Sequence, residues 1–375
     1  MNESSAHCLT SWPADDAIAA VITDVLDKDE APGAIVRLSS PGLAPWTGAF
    51  GLANVDAGTP MQPAMHGRIG SITKPMVATL VLQLVDEGKL SLDEPLATAL
   101  PAAASLPNAA SITVRNLLTM RSGLFNFTEA PGIFDTISTN PDRIWTPADL
   151  IAVAAERPAN FAPGAQFEYS NTNYILLGEI VALITGKPVE QVFRERLTEP
   201  FGLSETSWPA GPELPEPFAD GYERVPLDGP RTDAPPTGPT TVERATRVAA
   251  SAGGAAGAVV STVADLDRWT DILFEGKALE PATSRAQLEI LPILKPDGTP
   301  SGMGYGMGVA DFGGIVGHNG GIPGFQSFAA RIVALGVNVS VIVNIDYGVA
   351  GTHPADAMTL ALRTLLAGHA AATSR

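Results

Sequence analysis

"RIGSITKPMVATLVLQLVDEGKL", Arg68–Leu90, decides how the chain is read. Ile72, Met76, Val77, Leu80, Val81, Leu84 and Val85 recur at helical spacing and cover most of the cylinder, the pattern of a helix buried in the middle of a domain. Gly88 ends the run. Pro75 falls in the first turn, where its missing N–H breaks nothing. Ser71 and Lys74 stand at the entrance, about one turn apart on the same face and within side-chain contact. A lysine inside such a helix is solvated, paired or used. Desolvation disfavours the ammonium and lowers its pKa; a neutral lysine can take the serine proton. The helix N-terminus adds partial positive charge that favours a developing oxyanion. Ser-x-x-Lys alone recurs by chance, usually as a capping serine and a solvated lysine. The apolar surroundings of Lys74 set this occurrence apart.

Working outward, residues 15–28 predict an amphipathic helix, with Ile18, Val21, Ile22 and Leu26 behind Asp15 and Asp16. "GAIVRLSS" (33–40) reads as a strand and "WTGAFGLANV" (46–55) as its hairpin partner, with Pro41 and Gly42 in the turn. Residues 95–240 hold helix-like pieces at 113–120, 147–156 and 173–184 between loops rich in Pro, Gly and Asn. The stretch 209–241 is too interrupted for helix and too Pro-rich for a central strand, so it reads as a long loop that caps a site or links lobes. After a Gly/Ala-rich turn, Ser261 or Thr262 caps a further helix. "GIVGHNGG", "GFQSFAARIV" and "VNVSVIVNID" predict an antiparallel meander, and a helix over 354–367 ends the chain. Strand material at both ends implies one sheet built from both termini, flanked by helices, with a helical lobe inserted. The expected division is an α/β domain from 1–75 and 243–375 and a mainly helical domain from 76–242, with the active site between them.

Composition narrows the function. Of 375 residues, 45% are hydrophobic and 17% charged, ample for a large core. The formal net charge is −17, from Lys+Arg 23 against Asp+Glu 40. Such a surface repels phosphate backbones and anionic headgroups, so neither nucleic acid nor membrane is an expected partner. Cys8 is the single cysteine, which rules out an intrachain disulfide. No histidine has a zinc-type spacing, so no metal and no cofactor are expected. No leader-like segment follows Met1 and no stretch reads as a membrane span. The expectation is a cytoplasmic protein, although a secreted mature form would read the same.

Two further stretches join Ser71 and Lys74. "FEYSNTNY" supplies Tyr169 and Asn171 at the entry to a helix, and "VGHNGGIPGF" supplies His318, Asn319, Gly320 and Gly321 on the first strand of the meander. Ser-x-x-Lys, Tyr-x-Asn and a basic residue-x-Gly, in that order, resemble the motifs of the penicillin-recognising serine hydrolases. The Tyr-x-Asn and His-x-Gly versions resemble the branch with class C β-lactamases, D-Ala-D-Ala carboxypeptidases, D-aminopeptidases and family VIII esterases. The resemblance runs over about residues 15–370. It implies a β-lactamase/transpeptidase-like α/β fold and an acyl-enzyme mechanism. Ser71 is then the nucleophile and Lys74 its proton acceptor or electrostatic partner. Tyr169 shuttles the proton to the leaving group, with a pKa expected to fall near two cations. Asn171 binds the acyl side of the substrate and orients Lys74. His318 belongs with the catalytic residues and Asn319, Gly320 and Gly321 with the substrate-binding strand, where Gly320 gives the substrate room at the edge; the backbone N–H groups of Ser71 and Gly321 form the oxyanion hole.

The third motif bears on substrate. Where relatives carry Lys-Thr-Gly, this chain has His-Asn-Gly: an imidazole that ordinarily changes charge near neutral pH, and the amide of Asn319. Gly302–Ala330 contains no Arg or Lys, which weakens capture of a carboxylate. The expected substrate is therefore a small ester, amide or peptide, cleaved as by an esterase or a D-amino-acid peptidase, with short-chain esters cleaved best. The alternatives are a β-lactamase or D-Ala-D-Ala carboxypeptidase, a transacylase or peptide-cyclising thioesterase of the same fold, and a catalytically silent binding protein. The loop 209–241 and the stretch 123–146 are expected to line the acyl pocket.

Overall fold

The computed structural model describes residues 9–373; His7 and Cys8 lie outside the described residues. In chain order the strands are β1 (Gly33–Ser39), β2 (Trp46–Asn54), β3 (Thr59–Pro60), β4 (Gly67–Arg68), β5 (Tyr222–Pro226), β6 (Thr240–Arg244) and β7 (Val260–Ser261). There follow β8 (Leu291–Leu294), β9 (Pro300–Tyr305), β10 (Ala310–Asp311), β11 (Ile315–Ile322), β12 (Phe325–Ile332) and β13 (Val337–Val343). Nine of them form one antiparallel sheet in the order β3-β2-β1-β13-β12-β11-β10-β9-β8. The first and last strands of the chain meet at its centre, with Val36 of β1 opposite Val341 of β13 and, on the other side, Gly48 of β2.

Side-chain alternation assigns the two faces. Ala34, Val36 and Leu38 of β1 join Val337, Val339 and Val341 of β13 beneath the helices Asp15–Asp29 and Pro354–Thr373, where Ile18, Ile22, Met358 and Leu362 close a dry layer. The opposite face carries Ile35 and Ile342 into a second core built around the helix Thr73–Asp86. Met76, Val77, Leu80, Val81 and Leu84 of that helix are all buried, on every side as the sequence pattern requires. The helices Val114–Leu118, Pro147–Ala155 and Asn171–Thr185 stand where helix-like pieces were expected. Thr262 caps Val263–Phe274 by accepting a hydrogen bond from the Asp265 amide.

The Pro-rich stretch 209–241 departs from expectation. It is not loop throughout, for β5 within it pairs in register with β6, which starts at its end, Tyr222 opposite Arg244 and Pro226 opposite Thr240. Pro226 closes the ladder at its end, where a missing N–H interrupts nothing. The Gly/Ala-rich segment is also more ordered than a turn. Ala250–Gly257 is helical with a break at Gly254, whose φ of 43° lies in the left-handed region. No described helix is long and apolar enough to cross a membrane.

Candidate active site

The helix Thr73–Asp86 is entered through a 3₁₀ turn, Gly70–Ile72, that presents Ser71 at its head. The turn lies hard against β11. Gly70 has φ +48°, and a Cβ there would come within 2.8 Å of the Gly321 carbonyl oxygen and 2.9 Å of its nitrogen. Only glycine allows this approach, which brings the backbone of Ser71 beside that of Gly321.

Lys74 is fully buried. Its Nζ lies 2.7 Å from Ser71 Oγ, 2.8 Å from Asn171 Oδ1 and 2.8 Å from the carbonyl oxygen of Ala256. Burial pushes its pKa well below the ordinary lysine value, against a smaller opposing pull from Asp233. A neutral amine has two N–H bonds and one lone pair. In that form Asn171 and Ala256, which offer only acceptors here, take both hydrogens and the lone pair faces the serine hydroxyl.

Tyr169 precedes the helix Asn171–Thr185, held by extended backbone at Ser170. Its hydroxyl donates to Ser71 Oγ over 2.7 Å. Its ring also covers Lys74, with Nζ 4.8 Å from the ring centroid. The phenol pKa does not fall, as the motif led one to expect. It is pushed above its ordinary value, first because burial disfavours the phenolate and also because Asp233 adds negative charge nearby; the Ser71 hydrogen bond opposes this only in part. Burial and the Asp233 charge outweigh the stabilisation that neighbouring cations were expected to give the phenolate. Tyr169 is therefore a proton-bearing donor to Ser71 Oγ, which also lies within hydrogen-bond distance of Lys74 Nζ.

His318, on β11, is 2% exposed. Its Nδ1 lies 2.6 Å from the carbonyl oxygen of Asn319, which can only accept, so the proton sits on Nδ1 and Nε2 accepts from Tyr305 Oη at 3.1 Å. Burial, then the Lys74 charge, push the imidazole pKa down to about 3. The expectation of a group titrating near neutrality fails here, because water is excluded from the ring. His318 braces Tyr305 and lies tilted beside Tyr169, with centroids 6.2 Å apart.

Of the remaining strand residues, Asn319 and Gly321 border the cleft and Gly320 does not. Asn319 Nδ2 donates to both carboxylate oxygens of Asp356, at 3.2 and 3.0 Å, tying β11 to the C-terminal helix. A Cβ on Gly320 would meet the Ile69 carbonyl oxygen at 2.0 Å and Ser327 Oγ at 2.5 Å. Gly320 thus makes room for the serine turn, not for substrate. At Gly321 nothing stands within 4 Å of such a Cβ, and this glycine borders the cleft.

The cleft is a cavity of about 340 Å³ whose floor holds Ser71, Tyr169 and Asn171. Phe127, Thr128, Phe134 and Ile137 come from the stretch 123–146 and Asp233 from 209–241, the two segments expected to line it. Asn171 Nδ2 donates to Thr128 Oγ1 at 3.2 Å, and Thr128 Oγ1 donates to Asp233 Oδ2. Sequence reasoning missed Thr128, Asp233, Tyr305 and the Ala256 carbonyl. Of these only the Gly/Ala-rich run near Ala256 carried a signal. None of the described residues lining the cavity is Arg, Lys or His. Among the described residues no group of three His, Cys, Asp or Glu could hold a metal ion.

Comparison with known proteins agrees with this architecture. A family model described as Beta-lactamase matches residues 18–363. Esterase EstB of Burkholderia gladioli is 31% identical over 211 residues, 54% of this chain and 53% of the esterase. The chain spans about half the length of the curated relatives it matches. Among solved structures, a D-stereospecific amidohydrolase from Streptomyces sp. superposes with a TM-score of 0.80 at 29% identity, covering 93% of this chain and 98% of the other. A D-amino acid amidase from Ochrobactrum anthropi SV3, complexed with L-phenylalanine, superposes with a TM-score of 0.80 at 28% identity, covering 96% and 100%. With the family model matched over most of its length and this fold around the Ser-x-x-Lys turn, the chain belongs to the β-lactamase family.

Proposed function

We propose that the protein is a serine hydrolase that cleaves a small ester or amide through an acyl-enzyme on Ser71. The observation that carries the reading is the buried Lys74, whose N–H groups are claimed by Asn171 and Ala256 and whose remaining side faces Ser71 Oγ at 2.7 Å. In the proposed reaction Lys74 takes the hydroxyl proton as Oγ bonds to the substrate carbonyl carbon. The backbone N–H groups of Ser71 and Gly321 receive the oxyanion. As the bond to the leaving group breaks, Tyr169 gives it a proton and is reprotonated from the Lys74 ammonium. Water then attacks the acyl carbon by the same route in reverse, which releases the acid and restores Ser71.

The cleft favours substrates without a carboxylate beside the scissile bond. Burial pushes the His318 pKa down to about 3, which keeps it neutral near neutral pH, and none of the described residues lining the cavity is Arg, Lys or His. This argues for esters and amino-acid amides over penicillins and C-terminal D-Ala-D-Ala peptides. The similarity to a D-stereospecific amidohydrolase and a D-amino acid amidase supports amides of D-amino acids as the class, with simple esters also accepted. A fluorophosphonate probe should label the wild type and leave Ser71→Ala unlabelled. Turnover of p-nitrophenyl esters and D-amino-acid p-nitroanilides, with nitrocefin poorly cleaved, fits the reading; labelling that is indifferent to Ser71 sinks it.

A further inference from the structure

We infer that Asp233 is a specificity residue that binds a free ammonium group on the acyl part of the substrate. The inference rests on the hydrolase reading of Ser71 and adds to it which acyl groups are selected. Asp233 reaches the cavity from a long loop, yet its place is built. Tyr347 Oη donates to its carbonyl oxygen at 2.9 Å. Two residues earlier Arg231 pairs with Glu223 and Glu243 of the β5–β6 ladder, at 2.6 and 2.7 Å. One carboxylate oxygen accepts from Thr128, the neighbour of Asn171. The other has no hydrogen-bond partner among the described residues.

An acid in a mostly apolar cavity is costly unless something cationic meets it. Burial pushes the Asp233 carboxyl above its ordinary value, with the Thr128 hydrogen bond and then the Lys74 charge drawing it only partly back. Lys74 cannot serve as its direct partner, since its three positions are taken by Ser71, Asn171 and Ala256. A substrate ammonium can, because Asp233 and Ser71 line the same cavity and Asp233 is joined through Thr128 to Asn171. Phe127, Phe134 and Ile137 around it would receive an apolar side chain. The chemical class is thus an amino-acyl ester or amide with an unblocked amine.

The test is competition against hydrolysis of the neutral ester p-nitrophenyl butyrate by the full chain. Phenylalaninamide in its D and L forms is compared with its N-acetyl derivatives and with 3-phenylpropanamide, which lacks the amine. At least one hand of the free amine should compete at concentrations roughly 30-fold or more below its acetylated form, the scale for leaving a buried charge unpaired. Asp233→Asn should collapse that ratio; loss of a general electrostatic role would weaken all competitors alike and leave it intact. Free amines no better than 3-phenylpropanamide in the wild type, or an undiminished ratio in a folded Asp233→Asn, overturn the inference while ester hydrolysis continues. Absence of Ser71-dependent ester hydrolysis removes the underlying reading instead. The wild-type comparison needs no variant to fold.

Discussion

At the scale of single residues the site separates two groups that sequence motifs treat alike. Lys74 and His318 are both buried bases, and burial lowers the pKa of each, but only Lys74 touches the serine. Activity that needs neutral Lys74 is present above its lowered pKa and lost as pH falls through it. A plot of kcat/KM against pH for p-nitrophenyl butyrate should show one acid limb, below the ordinary lysine value of 10.5, and no limb from His318 between pH 5 and 9. His318→Gln should leave the shape unchanged; a limb near 6.5 that vanishes in this variant would count against the buried neutral imidazole. Tyr169 makes a separate prediction. A phenol that keeps its proton matters most when the leaving group is a poor one. Tyr169→Phe should slow p-nitroanilide hydrolysis by roughly 10²–10⁴-fold and p-nitrophenyl ester hydrolysis much less, since p-nitrophenolate leaves without a proton. Equal losses would remove the acid role. The motif residues were legible because their order along the chain is fixed. Asp233 and Thr128 were not: they lie 105 residues apart and meet only through the fold.

At the scale of elements, β11 does two jobs with adjacent glycines. Gly320 lets the serine turn lie against the strand, while Gly321 opens onto the cleft. Gly320→Ala places a methyl against backbone oxygen that cannot rotate away, so destabilisation of about 1–3 kcal/mol or more is expected, with loss of fluorophosphonate labelling. Gly321→Ala meets empty space and should change Tm little while raising KM, because the methyl enters the cavity. Equal Tm losses in denaturation would show that the two positions are not distinguished in this way. The strands were readable from their β-branched runs, and the serine helix from apolar residues on all sides. The β5–β6 ladder was hidden because prolines at 226, 230, 235, 236 and 239 interrupt the segment. Its register is set from outside: Tyr222 accepts at its carbonyl from the Asp346 amide and donates its own amide to Asn344, just past β13. No local pattern could announce that attachment.

At the scale of the whole molecule, buried ionisable groups make stability depend on pH in opposing senses. Asp346 sits where the β5–β6 ladder joins the central sheet, 5% exposed, its Oδ1 accepting from the amides of Arg224 and Tyr347 at 2.9 and 2.7 Å. Burial raises its pKa to about 8; the Arg224 amide opposes this and the Glu223 charge adds to it. The folded state therefore holds a proton that the unfolded chain releases near pH 3.9. The stability this represents is complete below that value and is lost as pH rises through about 8. Lys74 works the other way. Its lowered pKa leaves the folded state without a proton that the unfolded chain keeps to about pH 10.4, so its stability contribution is lost as pH falls. Lys74 thus weakens the fold at the pH where the buried aspartic acid is harmless. Because the two slopes oppose one another, the wild-type Tm alone does not report on either. The difference between Asp346→Asn and wild type does: asparagine keeps the Oδ1 acceptor and removes the titration. Its Tm advantage should widen steadily from pH 5 to pH 8 and level off above, reaching a difference on the order of several kcal/mol. An advantage that stays constant across that range would mean Asp346 is ionised in the folded protein throughout, and that the junction between ladder and sheet holds a solvated carboxylate.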